Sequence, residues 1–211
     1  DSPQSVGTTP DTDPYTKHQV FWSRYNGSQT APTVSDSGNH TTAVIAAFRG
    51  CITTGDPWNV TSGGVEAVSD TSGSITGDTT TTDNCLIVAS ISGSGDPGAN
   101  NTASHASWTN SDLANIAEIV DLGSTTVAGG TLGVATGEKA TARSYGATTV
   151  TLTTAGYKAF MTIALMPNNP PTVVLNSPAD ASSDTDTTPE SRFTGTDPNA
   201  DAITYEVQID T

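Results

Sequence analysis

Basic residues are scarce in this sequence. Only 7 of its 211 residues are Lys or Arg, against 22 Asp and Glu, so the formal net charge is −15. Because such a negative field repels phosphate backbones, we expect no nucleic-acid partner. Charged residues of both signs make up only 14% of the chain, so the polar surface must come largely from Thr, Ser, Asn and Gly.

Long apolar runs and strong helix formers are also lacking. The longest apolar run is far shorter than the ~20 residues of a membrane-spanning helix, so we expect no insertion into a membrane. Thr is abundant instead, and its β-branched side chain suits the solvent face of a strand. The sequence starts at Asp1 with neither an initiating Met nor a signal peptide, so we expect a processed chain or a fragment. These features favour an all-β protein with one large sandwich or two small domains.

Three short apolar runs predict the core of one β-domain. They are residues 41–48 (TTAVIAAF), 85–91 (CLIVASI) and 160–166 (FMTIALM). Each has the length of a strand, contains β-branched residues and is bounded by turn residues, as expected for strands buried in a sandwich. We therefore predict that the three runs lie together in one jelly-roll-like antiparallel β-sandwich over residues 1–167.

Local patterns predict the other segments of this domain. Strands are expected at residues 17–25, 131–135 and 148–153. The first of these ends at Asn26-Gly27, a tight-turn signal, and residues 55–83 are expected to form loops and short edge strands. Residues 113–122 fit both a helix and a strand. The strand-like neighbours of this segment favour a strand.

Cysteine occurs only twice, as Cys51 after the first apolar run and Cys85 at the start of the second. If the two strands are neighbours, the sulfur atoms meet at one end of the sheet. A disulfide there would stabilise the fold by roughly 3–4 kcal/mol. Two buried thiols that pack as small hydrophobic side chains are the alternative. Neither cysteine belongs to a CxxC motif, which argues against a metal site.

Four segments of the first domain carry a family resemblance. They are FWSRYNGSQTAPTV (21–34), AVIAAFRG (43–50), GVATGEKATA (133–142) and TIALMP (162–167). Together they resemble a β-sandwich module found in phage virion proteins and in large secreted bacterial proteins. The resemblance covers most of residues 15–167, and its motifs are structural rather than catalytic. It implies that residues 113–122 form a strand, and that the N-terminal hydrophobic strand of such a module is missing from this sequence.

Prolines mark a boundary after the first domain. Residues 166–171 are MPNNPP, a run through which neither a helix nor a paired strand continues. Such a segment forms an extended, semi-rigid spacer. We therefore predict a proline-rich linker at residues 168–172.

The sequence beyond this linker carries a second resemblance. Its segments are PPTVVLNSPAD (170–180) and TTPESRFTGTDPNADAITYEVQID (187–210). They are similar to the opening of bacterial immunoglobulin-like or fibronectin type III repeats, which implies strands at residues 173–175, 192–194 and 203–209. Because such a fold needs about 100 residues, residues 173–211 are expected to be an incomplete domain. Its remaining strands are expected in a continuation of the chain or in a neighbour.

Sequence motifs of known catalytic chemistry are missing. The patterns HExxH, GxSxG and the Walker loop do not occur, so we expect neither enzyme activity nor a cofactor. Gly93, Gly95 and Gly98 have the spacing GxGxxG, but Pro97 interrupts it and no βαβ unit surrounds it, which indicates a glycine-rich turn. The three histidines are expected at the surface or rim of the fold: His18, His40 and His105.

Two sets of residues are candidate binding groups. Flat aromatic faces pair with the apolar faces of sugar rings, so Trp22, Trp58 and Trp108 are candidate glycan contacts, with anchoring of the core or loops as the alternative. Oxygen ligands suit calcium, so Asp197, Asn199 and Asp201 are candidate calcium ligands, with a plain polar hairpin as the alternative.

Three functions from different classes fit these features. The first is a non-enzymatic structural or host-contacting component of a phage virion, such as a tail fibre, head fibre or decoration protein. The second is a secreted bacterial adhesin, extracellular filament subunit or carbohydrate-binding module, and the third is the accessory region of a secreted glycoside hydrolase. The resemblance favours the first. It implies a location on a virion or outside the cell, with copies of the chain, other virion or filament proteins, or a cell-surface glycan as partners.

Overall fold

The structure, a computed structural model, describes residues 4–8, 16–28, 30–34, 41–125, 129–177 and 190–206. These residues form antiparallel β-strands and no helix, which confirms the predicted all-β fold. The strands are β1 (Gln4–Thr8), β2 (Gln19–Trp22), β3 (Trp58–Ile75), β4 (Cys85–Gly93), β5 (His105–Thr109), β6 (Ala114–Ser124), β7 (Gly130–Lys139), β8 (Thr148–Leu165), β9 (Thr172–Ser177) and β10 (Arg192–Thr196).

The chain divides into two compact units. The first comprises Asp1–Phe48 and Trp58–Met166, and the second comprises Arg49–Pro57 and Pro167–Thr211. The first unit contains β1 to β8 and most of the buried side chains. Each unit therefore has its own strands.

A long ribbon of β3 and β8 is the centre of the first unit. Both strands have 18 residues, and they pair antiparallel from Trp58 opposite Leu165 to Ile75 opposite Thr148. On its other edge, β8 pairs with β4 through its C-terminal part and with β5 through its N-terminal part. The continuous strand β8 therefore belongs to two regions of sheet, one that contains β4 and one that contains β5.

The six-stranded sheet has the order β3-β8-β4-β7-β6, and β5 pairs with β8 away from this path. Near β5, Val150 and Leu152 of β8 pack with Ile91 of β4 in a single buried cluster. Phe160, from the other part of β8, belongs to the same cluster. Because the two regions of sheet face each other across this cluster, the arrangement is consistent with the predicted β-sandwich.

The opposite face of the sheet is also covered. Alternate residues of a strand point to opposite faces, and Val88 of β4 belongs to a second cluster with Met161 and Ile163 of β8. Val20 of β2 and Phe48 pack against this cluster. The strand β4 is therefore buried on both faces, which explains its nearly continuous apolar sequence.

Residues 41–48, predicted as a core strand, form no strand, and this prediction is wrong. Val44 is 41% and Ile45 is 71% exposed, and Phe48 alone in this segment packs against a buried cluster. The two other predicted core strands pair directly with each other, with Leu86 opposite Leu165. Three of the eight residues of the segment are Ala, which buries little apolar area and is depleted in strands.

The strand β3 occupies the sheet position beside β8, where the sequence predicted loops and short edge strands. It is rich in Ser, Thr and Gly, but glycine has a steric role in it. A Cβ at Gly73 would lie 2.7 Å from Ile91 Cδ1, and one at Gly64 would lie 3.0 Å from Phe160 Cζ. Glycine therefore lets this backbone lie close to large core side chains.

Residues 113–122 are correctly predicted as a strand, because β6 spans Ala114–Ser124. The apolar residues of this segment have a helix-like spacing because the strand pairs irregularly. Asn115 has φ of 51°, and the register with β7 shifts between Ala114 and Ala117 and again between Glu118 and Val120. Irregular pairing of this kind disturbs the simple alternation of a strand.

The second unit contains an antiparallel pair of β9 and β10. These strands confirm the predictions at residues 173–175 and 192–194. Residues 203–206 form no strand, contrary to prediction, and residues 207–209 of the same segment lie outside the described residues. Tyr205 instead packs against β10, with its ring centroid 5.1 Å from that of Phe193.

We predict that Ile91→Ala destabilises the first unit by about 2–5 kcal/mol, because Ile91 is 0% exposed and its loss leaves a cavity between the two regions of sheet. The matched change Ile45→Ala should cost less than about 0.5 kcal/mol, because this side chain lies largely in solvent. Denaturant unfolding measures both values. Equal losses for the two variants would show that residues 41–48 belong to the core after all.

Candidate functional site

Trp22 and Trp58 form an aromatic pair in the first unit. Their ring centroids lie 5.4 Å apart and the ring planes meet at 86°, the edge-to-face geometry that aromatic quadrupoles favour. The guanidinium carbon of Arg24 lies 5.4 Å from the Trp22 ring centroid, within the range of a cation–π contact. The strands β2 and β3 therefore place two of the predicted glycan-contact residues side by side.

Both rings of this pair are half-buried. The Trp22 Nε1 atom is buried and has no hydrogen-bond partner among the described residues. The Trp58 ring packs against the buried cluster that contains Val88 and Met161. The aromatic surface open to solvent comes from two neighbours instead, since Phe21 is 55% and Tyr25 is 80% exposed. Tyr25 was among the aromatic residues that the sequence suggested for sugar stacking, but Phe21 was missed, because strand alternation alone did not show which face of residues 17–25 was covered.

Trp108 lies apart from this pair, in β5. Its ring packs against the cluster between the two regions of sheet, and its Nε1 donates a hydrogen bond of 2.6 Å to Glu118 Oε2. The structure therefore brings together two of the three predicted glycan-contact residues. The third is an anchor between β5 and β6.

His18 is buried against β4, although the sequence predicted a surface position. Ser90 donates its hydroxyl proton to the Met161 carbonyl at 3.1 Å, so its oxygen accepts the Nε2–H of His18 at 2.9 Å. Nδ1 then accepts a hydrogen bond from the hydroxyl of Ser92. This network fits a neutral imidazole, and burial lowers the pKa of His18 to about 4.

His105 is also buried, contrary to prediction, and it is paired with Asp121. Its Nδ1 donates to Asp121 Oδ1 at 2.9 Å, and the same carboxylate accepts the backbone N–H groups of Ser104 and His105. Nε2 is buried without a partner in the described chain. The pair fixes the start of β5 against β6. His40 lies outside the described residues.

The structure shows no disulfide between Cys51 and Cys85, and of the two thiols only that of Cys85 is buried as the alternative arrangement expected. Cys85 is buried beside Ile87 and Ala164, where its Sγ donates to the Thr82 carbonyl at 3.2 Å. Burial raises the pKa of this thiol, and the nearby Asp83 carboxylate raises it further. Cys85 therefore acts as a small core residue. Cys51 is half-buried in the second unit.

The three candidate calcium ligands lie together in the second unit. Asp197 Oδ1 accepts the backbone N–H groups of Asn199 and Asp201 at 2.8 and 3.1 Å. Asn199 Oδ1 accepts the N–H of Asn169 at 2.6 Å, and Asp201 Oδ1 accepts the hydroxyl of Thr53 at 2.7 Å. These oxygens bind groups of the protein, as in a polar turn. Within the described residues, no group of three or more His, Cys, Asp or Glu side chains is arranged to hold a metal ion.

Comparison with protein-family models, curated proteins and solved structures found no match to this chain. Among the described residues, no helix is long and apolar enough to cross a membrane.

We predict that the free energy of unfolding decreases as the pH falls from 6.5 to about 4 because of His18. In this window the unfolded chain binds a proton at His18 that the folded chain does not, which lowers the stability by about 3 kcal/mol in total. The variant His18→Gln keeps a group that forms hydrogen bonds but does not titrate. Its unfolding free energy, measured by denaturant titration at several pH values, should fall less steeply than that of the wild type. Parallel curves for the two proteins would contradict the role assigned to His18.

Proposed function

We propose that this protein is a non-enzymatic structural module of an assembly outside the cell, with a phage tail fibre, head fibre or decoration protein as the leading candidate. The observation that carries the proposal is the apolar segment at residues 41–48. It contains no charged residue, forms no strand and exposes Val44 and Ile45. Neighbouring apolar side chains that are exposed together are a feature of surfaces that bind a partner.

The absence of charge in this segment suits another copy of the same chain as this partner. Two copies with a formal charge of −15 each repel one another. An uncharged segment is a place where two copies meet at the smallest electrostatic cost, and burial of Ile45 in both copies favours association. We therefore assign residues 41–48 to contacts between copies.

The fold supports a mechanical role for such an assembly. The ribbon of β3 and β8 spans 18 residues of each strand, with shifts of register between Glu66 and Ser72, and β8 has hydrogen-bonded neighbours on both edges. Many backbone hydrogen bonds must break together before this ribbon separates. A module of this kind is suited to transmit load along a fibre or across a shell.

A secreted adhesin, filament subunit or carbohydrate-binding module is the second candidate. The exposed rings of Phe21 and Tyr25, next to the Trp22–Trp58 pair, favour it, because flat aromatic surface recognises sugar rings. In this alternative the partner is a cell-surface glycan. The two candidates place the contact on different residues, so they can be separated by substitution.

We predict that Ile45→Asp weakens self-association at least tenfold, or by about 1.4 kcal/mol, because it places a new negative charge at the contact of two acidic chains. The control Ile119→Asp changes a residue of β6 that is 44% exposed and should leave association unchanged. Sedimentation equilibrium over a concentration series measures the association constants of the wild type and both variants. A wild-type chain that stays monomeric at high concentration, or equal effects of the two variants, would contradict the proposal.

A glycan array decides between the two candidates. If the second one holds, the wild type binds a defined class of glycan, Tyr25→Ala reduces the binding at least tenfold, and Ile45→Asp leaves it intact. We predict no glycan binding that depends on Tyr25. Binding that Tyr25→Ala abolishes would replace the first candidate with the second.

A further inference from the structure

Lys158 is a charged residue with no access to solvent. Its side chain is 0% exposed in β8, although Lys is almost never fully buried unless it is paired. Removal of an ammonium group from water is costly, so its surroundings must supply partners. Those partners all come from a short stretch of the neighbouring strand β3.

Three oxygen atoms of β3 surround the Lys158 Nζ atom. The distances are 2.8 Å to Asp70 Oδ1, 3.2 Å to the Val68 carbonyl and 3.4 Å to Glu66 Oε1. Glu66 lies directly opposite Lys158 in the pairing of the two strands, and the register shifts between Glu66 and Asp70. This irregular stretch brings the Asp70 carboxylate to the nitrogen.

One oxygen of the Glu66 carboxylate is buried without a hydrogen-bond partner among the described residues. This oxygen is Oε2, while Oε1 faces the Lys158 nitrogen. A carboxylate in this position can accept a proton from Nζ and hold it away from bulk water. The site thus contains an amine in contact with two carboxylates, those of Asp70 and Glu66.

We propose that Lys158 and Asp70 condense to form an isopeptide bond between β8 and β3, with Glu66 as the group that transfers protons. No metal, cofactor or second protein takes part. The inference stands independently of the proposed function.

The reaction balances without an oxidant or a co-reactant. One proton of the Lys158 ammonium moves to the Asp70 carboxylate, directly along their 2.8 Å hydrogen bond or by way of Glu66. The neutral amine then attacks Cγ of the neutral Asp70 carboxyl group to form the C–N bond. One C–O bond of the Asp70 carboxyl group then breaks, and its oxygen leaves as water with protons supplied by the amine. An ammonium and a carboxylate thereby become an amide and one water molecule, and Glu66 returns to its initial state.

The pairing of β3 with β8 holds the Lys158 amine next to the Asp70 carboxylate. The hydrogen bond from Lys158 holds the pKa of Asp70 below its usual value, so the resting state is an ion pair held in contact. Groups fixed at contact distance react as if at very high concentration. The Lys158 side chain is shielded from solvent, whereas the Asp70 side chain is 45% exposed. The attacking nitrogen is therefore dry, and the water molecule that is released has a path to solvent.

Mass spectrometry of the folded wild-type protein tests the inference. The intact mass should be lower than that of the sequence by one water molecule. After denaturation and trypsin digestion, the peptide with Asp70 should remain joined to the peptide with Lys158, and trypsin should not cleave after Lys158. An intact mass equal to that of the sequence would overturn the proposal and leave the group as an ion pair.

Three variants complete the test. Lys158→Met and Glu66→Gln should both restore the full mass expected for each sequence, the first because it removes the amine and the second because it removes the proton acceptor. The control Lys139→Met changes another buried lysine, which is 2% exposed, and should keep the loss of one water molecule. A loss that persists in Lys158→Met would assign the missing water to another site and overturn the proposal. The wild-type digest decides the question even if a variant fails to fold.

Discussion

The pairing of β8 on both of its edges is the constraint on which the first unit depends. Its N-terminal part pairs with β5 and its C-terminal part with β4, while β3 follows it along its whole length. Its side chains reach both buried faces of the sheet, with Phe160 on one and Met161 on the other. Loss of this strand would separate both regions of sheet at once, so the cooperativity of the unit comes from it.

Apolar sequence predicted the strands that are buried on both faces and little else. Residues 85–91 and 160–166 are in β4 and β8 as expected, because a strand covered on both sides needs a continuous apolar run. The run at residues 41–48 has a similar composition, yet it stays in water, since nothing local distinguishes an apolar segment that finds a place in the sheet from one that does not. The polar edge strand β3 was predicted as too short for the opposite reason, because hydrogen bonds and glycine contacts hold it rather than apolar area.

The candidate sites were less predictable than the fold. Composition indicated Trp22 and Trp58 as aromatic candidates, but only the structure pairs them and leaves Phe21 and Tyr25 in solvent. Asp70 and Lys158 are far apart in sequence, and their contact depends on the register of β3 against β8. No local motif contains that register, so the buried lysine and its two carboxylates are visible only after the strands are paired.

Hydrogen exchange of backbone amides tests the central claim most directly, which is that β8 organises the unit while residues 42–47 stay outside its sheets. In the monomer, amides in the part of β8 that pairs with β4 should exchange only through global unfolding. Amides of residues 42–47 should exchange orders of magnitude faster. Equal protection of the two segments would mean that the apolar segment is a paired core strand, which would contradict both the fold and the proposed contact between copies.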